Sequence, residues 1–98
     1  MAVQSSNTYH VRIPKEFNKA DLLTSIGVGL YRMVNGIIPE PIKSDSETVK
    51  ARIKLSAKAD EFFKTLIRSG QFNNKNEILN LALAYVSVQP KWVRDTII

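Results

Sequence analysis

A mainly α-helical domain with one short strand per chain, completed by twofold pairing of two chains, is the fold class this sequence predicts. Three observations lead there. Residues 49–55 read V-K-A-R-I-K-L, a strict alternation of apolar and cationic side chains, which is the periodicity of a strand with two unlike faces. Two capped helical periods follow it directly. The chain has 98 residues and no cysteine, so neither disulfides nor a cysteine-bound metal can hold so small a core, and association remains. A small strand and helix extension precedes this unit.

Residues 1–8 are small and polar, a frayed start. Tyr9, Val11 and Ile13 alternate with His10 and Arg12 until Pro14, a short strand-like stretch. Asn18 is placed to cap a helix over about 19–35, with Leu22, Leu23, Ile26, Leu30, Met33, Val34 and Ile37 on one face. Gly27 and Gly29 each weaken that helix by about 1 kcal/mol and suit close helix packing, while Gly36 suits its end. Residues 37–47 hold Pro39, Pro41, Ser44, Asp45, Ser46 and Glu47 and read as a linker. The predicted division is an extension over 1–47, a dimer domain over 48–89 and a tail over 90–98.

After the linker, Ser56 caps a helix with Asp60 and Glu61 early, where the macrodipole favours acids. Ala59, Phe62, Phe63, Leu66 and Ile67 form its stripe, and Gly70 ends it. Asn74-Lys75-Asn76-Glu77 is a capping-box arrangement. The helix it opens is apolar almost all round until Pro90, so it must be buried on every side. A lone strand leaves its ladder groups unpaired. Antiparallel pairing of two copies satisfies them, with Ile53, Leu55, Phe62, Leu66, Ile78 and Leu81 as the dimer core.

Charge divides at the linker. Residues 1–48 carry five cations and five anions, whereas residues 49–98 carry nine cations and four anions. Excess positive charge confined to one half suggests a polyanionic partner. The ribbon's outward face would carry Lys50, Arg52 and Lys54, and a two-stranded ribbon fits the major groove, where Arg and Lys donate to guanine. The start of the last helix offers backbone N–H groups for a phosphate, with Lys75 in that turn.

These residues resemble a known family. A-R-I-K-L-S, a helix, Gly70, and F-N-N-K-N-E-I-L-N-L-A-L are similar to the ribbon-helix-helix DNA-binding proteins, the Arc and methionine-repressor class, over residues 49 to about 88. The resemblance implies base contacts from Lys50, Arg52 and Lys54, and phosphate contacts from Asn74, Lys75 and Asn76. Asparagines stand where that family usually has serines before the second helix. Tyr9–Ile13 and the helix after it echo the first part of a second such unit, but no second helix precedes the linker, and the echo is set aside.

The functional expectation is a dimeric, sequence-specific double-stranded DNA-binding protein, alone or in higher-order assembly along DNA. It would serve as a transcriptional repressor, or as a plasmid or phage accessory factor in partition or conjugative DNA processing. The alternative is an antitoxin or docking module whose residues 1–45 grip a protein partner. Enzyme chemistry has no supporting residues, and no cofactor or metal is expected. His10, the single histidine, reads as a strand surface residue. Gly27-Val28-Gly29 lacks the Lys-Ser/Thr of a phosphate loop, and Asp21, Glu40, Asp45 and Glu47 lack calcium-loop spacing. Leu22–Tyr31, an uncharged apolar stretch of the first half, falls short of the roughly 20 residues of a membrane span. Met1–Tyr9 shows no secretory signal. A cytoplasmic prokaryotic protein, on nucleoid or plasmid, is expected.

Overall fold

Alternating sequence makes strands of two segments, and each is the other's partner. The computed structural model describes residues 6–42 and 47–96. Strand β1 (Ser6–Pro14) pairs antiparallel with β2 (Thr48–Ser56), in a register that sets Tyr9 opposite Ile53, His10 opposite Arg52 and Val11 opposite Ala51. The expected intertwined homodimer, with one strand per chain and a C-terminal ribbon, is therefore corrected. The molecule is a small α/β domain whose two-stranded sheet lies within one chain. The physical reason is direct: the ladder groups of β2 that needed a partner find one in β1. Ser6, Asn7 and Thr8, read as part of a frayed start, belong to that strand.

Helix α1 (Ala20–Leu23) and helix α2 (Ile26–Val34) replace the single helix predicted over 19–35. Thr24 and Ser25 make the break. Thr24 Oγ1 donates to the Ala20 carbonyl at 2.9 Å. Ser25 Oγ lies 2.8 Å from the Asp21 carbonyl and 2.9 Å from that of Arg94, one donor between a local and a distant acceptor. Such back-bonding bends helices. Lys19, not Asn18, is the N-cap, without a side-chain capping bond. At the far end Gly36 adopts φ +91°. Its N–H donates to Met33 and that of Ile37 to Arg32, the paired bonds of a glycine-terminated helix.

Helix α3 (Ala57–Ser69) starts on Ser56, whose side chain accepts from the Ala59 N–H, and stops at Gly70 with φ 72°. Helix α4 (Lys75–Ser87) starts on Asn74, and α5 (Lys91–Arg94) follows Pro90 where the sequence suggested only a tail. Of the linker, Lys43, Ser44, Asp45 and Ser46 lie outside the described residues.

The predicted extension and the predicted dimer domain share one core. Val11, Ile13, Ile26, Leu30 and Met33 are buried in the same cluster as Ile53, Leu55, Leu66, Ile78 and Leu81. These last five, with half-buried Phe62, were expected to lock two subunits and instead pack inside one chain. Helix α4 is covered by α2, which also packs on α3.

The α2–α4 contact is backbone against backbone. A methyl group at Gly29 would stand 2.4 Å from the Ala82 carbonyl oxygen and 2.8 Å from its Cα. Gly29→Ala gains about 1 kcal/mol of helix propensity but incurs an overpacking cost of about 1–3 kcal/mol. A lowered urea midpoint is expected, with a net loss of up to about 2 kcal/mol. A raised midpoint would show that α2 can retreat from Ala82.

Candidate nucleic-acid interface

The period of two divides the ribbon into a buried and an exposed face. Val11, Ile13, Ala51, Ile53 and Leu55 point into the core, while Thr8, His10, Arg12, Lys50, Arg52 and Lys54 are exposed. Across the ladder the exposed residues pair as Thr8 with Lys54, His10 with Arg52 and Arg12 with Lys50. The face therefore carries four cations and a histidine, with no carboxylate between them.

The outer edge of β1 is held by α4. The Arg12 N–H donates to Asn76 Oδ1 at 2.8 Å, and Asn80 Nδ2 donates to the Arg12 carbonyl at 3.0 Å. Because the main-chain groups of Arg12 turn outward, Arg12 and Lys50 form a non-hydrogen-bonded pair, the kind whose Cα atoms stand only about 4.5 Å apart. The alternation carries the same geometry to His10/Arg52 and Thr8/Lys54. One residue beyond β1 the Lys15 N–H donates to the Glu47 carbonyl at 2.9 Å, which keeps the register. Like charges directly opposite each other are destabilising, so the Arg12/Lys50 end is under electrostatic tension. The Arg12 guanidinium is steadied by Thr48, with Nε 3.2 Å from its hydroxyl and Nη2 3.3 Å from its carbonyl.

The three expected base-contact residues, Lys50, Arg52 and Lys54, thus share one exposed face. The three expected phosphate residues divide. Asn74 Oδ1 accepts the Glu77 N–H at 2.8 Å, and Asn76 Oδ1 is committed to β1. Lys75 is exposed in the first turn of α4. The Glu77 carboxylate reaches back to the main-chain and side-chain N–H groups of Asn73, each at 3.1 Å, one residue earlier than the usual capping box. His10, Val11, Arg12, Lys50 and Asn76 line a shallow depression of about 250 Å³ where ribbon and helix meet. Sequence reasoning missed the contribution of β1, namely Thr8, His10 and Arg12. The signal was present in the opposite phase of Tyr9, Val11 and Ile13.

Comparison with protein-family models, with curated proteins and with solved structures finds no match. Among the described residues no helix is long and apolar enough to cross a membrane.

Beneath the exposed face, β1 is fastened to α3 through Asp60, which is only 3% exposed. Its carboxylate accepts from Asn7 Nδ2 at 2.8 Å, from the Tyr9 hydroxyl, and from Lys64 Nζ at 3.0 Å. The Tyr9 ring stands edge-on to Phe63, centroids 4.8 Å apart. Burial pushes the Tyr9 phenol up to about 12, and the hydrogen bond to the Asp60 carboxylate and its negative charge add to the rise.

The sign of the linkage follows. Unfolded tyrosine ionises near its ordinary value of 10.0 while folded Tyr9 keeps its proton to about 12, so the unfolded state binds fewer protons in that window. Tyr9's contribution is complete below pH 10 and declines as pH rises to about 12. Tyr9→Phe should cost about 1.5–3 kcal/mol at neutral pH, the range for a hydrogen bond to a charged group. Urea titrations of both chains across pH should show the wild-type advantage shrinking between pH 10 and about 12. A constant difference would place the Tyr9 hydroxyl elsewhere.

Proposed function

We propose that this chain binds double-stranded DNA by seating its basic two-stranded ribbon in the major groove. One observation carries the reading: four cations and a histidine occupy one exposed ribbon face, while the opposite face is anchored in the core. The groove admits such a ribbon, and Arg or Lys side chains donate to guanine O6 and N7. Arg52, Lys50, Lys54 and Arg12 are assigned to base edges and Lys75 to phosphate. The similarity of residues 49 to about 88 to the ribbon-helix-helix class supports the same reading. The role is that of a transcriptional repressor or of an accessory factor in plasmid partition or conjugative DNA processing, in the prokaryotic cytoplasm. The competing reading, an antitoxin or docking module gripping a protein through residues 1–45, loses support because β1 and α2 belong to the core.

Arg52→Ala removes an exposed side chain and should leave the fold intact. It should weaken binding to the preferred duplex by about 1–3 kcal/mol if the guanidinium is bidentate to guanine. Wild-type affinity should fall between about 50 and about 200 mM salt, by about threefold if Lys75 alone displaces a counterion and by up to the order of 10²- to 10³-fold if the four groove cations displace theirs as well. Fluorescence anisotropy on labelled duplex measures both. Salt-independent binding, or an Arg52→Ala chain that binds as tightly as wild type, would refute the reading.

A further inference from the structure

We infer that a single chain of this protein reads a duplex site that lacks dyad symmetry, with its guanine contacts concentrated under the Arg12/Lys50 end of the ribbon. The inference rests on the DNA-binding reading and adds which sequences that ribbon accepts.

The geometry that leads there is the ladder itself. An antiparallel pair has an approximate twofold axis normal to the sheet, and in this register the axis passes through the His10/Arg52 pair, midway along β1 and β2. Rotation about it carries Thr8 onto Lys50, His10 onto Arg52 and Arg12 onto Lys54. Only the last exchange preserves charge. A ribbon made by two copies of one strand shows the same side chains to both halves of its site, so the bases it favours repeat by the dyad. Here the two strands come from different parts of one chain, and nothing forces their faces to agree.

The consequences differ end by end. Arg12 and Lys50 sit opposite each other, two long cations able to donate to guanine O6 and N7. At the other end Lys54 faces Thr8, whose hydroxyl pairs with either kind of base edge and whose methyl group suits thymine. Four residue steps at about 3.4 Å place these ends about 14 Å apart, or about four base-pair steps. The flanking contacts are one-sided as well. The start of α4 lies against the outer edge of β1 at Arg12, bringing Lys75 to that side.

The test is selection of bound fragments from a random duplex pool with the full chain, alongside the mass of the complex to count chains per site. The expected result is one chain on a core of about five base pairs without dyad symmetry, richer in guanine at one end. Rebuilding that core as a palindrome, with the guanine-rich half copied onto the other end, should weaken binding roughly fivefold or more. The double variant Thr8→Lys, His10→Arg gives both strands outward faces of matching charge, Arg12 and Lys54 still differing in kind, and its selected core should shift toward dyad symmetry and recover the loss on the palindrome. A palindromic core selected by the wild-type chain, two chains per site, or duplex retained with no preferred sequence would each overturn the inference. A double variant that folds but selects the wild-type core would do the same. No duplex retained at low salt is the distinct failure of the DNA-binding reading itself.

Discussion

The pairing of β1 with β2 is the constraint on which the rest of the molecule depends, because a strand's faces are fixed by its register. A slip of one residue would turn Lys50, Arg52 and Lys54 into the core and Ala51, Ile53 and Leu55 into water. The structure holds the register from several directions. Asp60 fastens Asn7 and Tyr9 near the start of β1, Asn76 and Asn80 grip Arg12 along its outer edge, and Lys15 bonds Glu47 just past its end. Apart from the Lys15–Glu47 bond, which joins the ends of both strands, these contacts act on β1. The strand that supplies fewer ribbon cations is thus the one that is tethered, and β2 is carried directly into α3 through the Ser56 cap.

Holding cations together on a narrow ridge costs stability, and the cost is met by what lies beneath. Ile13, Ile53 and Phe63 are fully buried under the ribbon, and burying a large aliphatic or aromatic side chain is worth about 1.5–3 kcal/mol. Opposed exposed charges act in high dielectric, where one such pair at about 4 Å amounts to about 1 kcal/mol. The core therefore outweighs the repulsion, and the ridge stays folded with no carboxylate among the paired residues of the ladder. Asp60 does not offset the ridge, because its buried carboxylate is engaged by Asn7, Tyr9 and Lys64 rather than by the ribbon cations.

Local pattern made α3 and α4 legible with their caps: Ser56, Gly70 and Asn74 all do what their positions imply. The strand β2 and its cationic face were equally plain. What the sequence did not reveal was the identity of the ladder partner. Periodicity marks a segment as a strand but is silent on which segment it meets, and a second copy satisfies the same backbone groups as β1 does. The helix break at Thr24–Ser25 was hidden for a related reason, since one of Ser25's acceptors is the carbonyl of Arg94 at the other end of the chain. Asp60 read as a first-turn acid, and its burial became visible only once Asn7 and Tyr9 were placed across from it. The hold of Asn76 on β1 was likewise invisible in the sequence: its Oδ1 accepts the Arg12 N–H, a bond that leaves its amide donor, the group a phosphate would meet, uncommitted to that strand.

Covalent linkage of the two strands changes the energetics of the ribbon as well as its symmetry. A ribbon shared by two molecules is formed against a loss of translational and rotational freedom estimated at about 4–15 kcal/mol, and its population depends on concentration. Here the cost is closure of the connection over residues 15–47, which grows only as the logarithm of its length. That connection includes α1 and α2 and contributes Ile26, Leu30 and Met33 to the core, so the segment that closes the loop also stabilises what it closes. With the ladder complete inside one chain, formation of the cationic face needs no second molecule. Each strand is then free to carry its own outward residues, and the difference between Thr8-His10-Arg12 and Lys50-Arg52-Lys54 is the freedom that this connectivity permits.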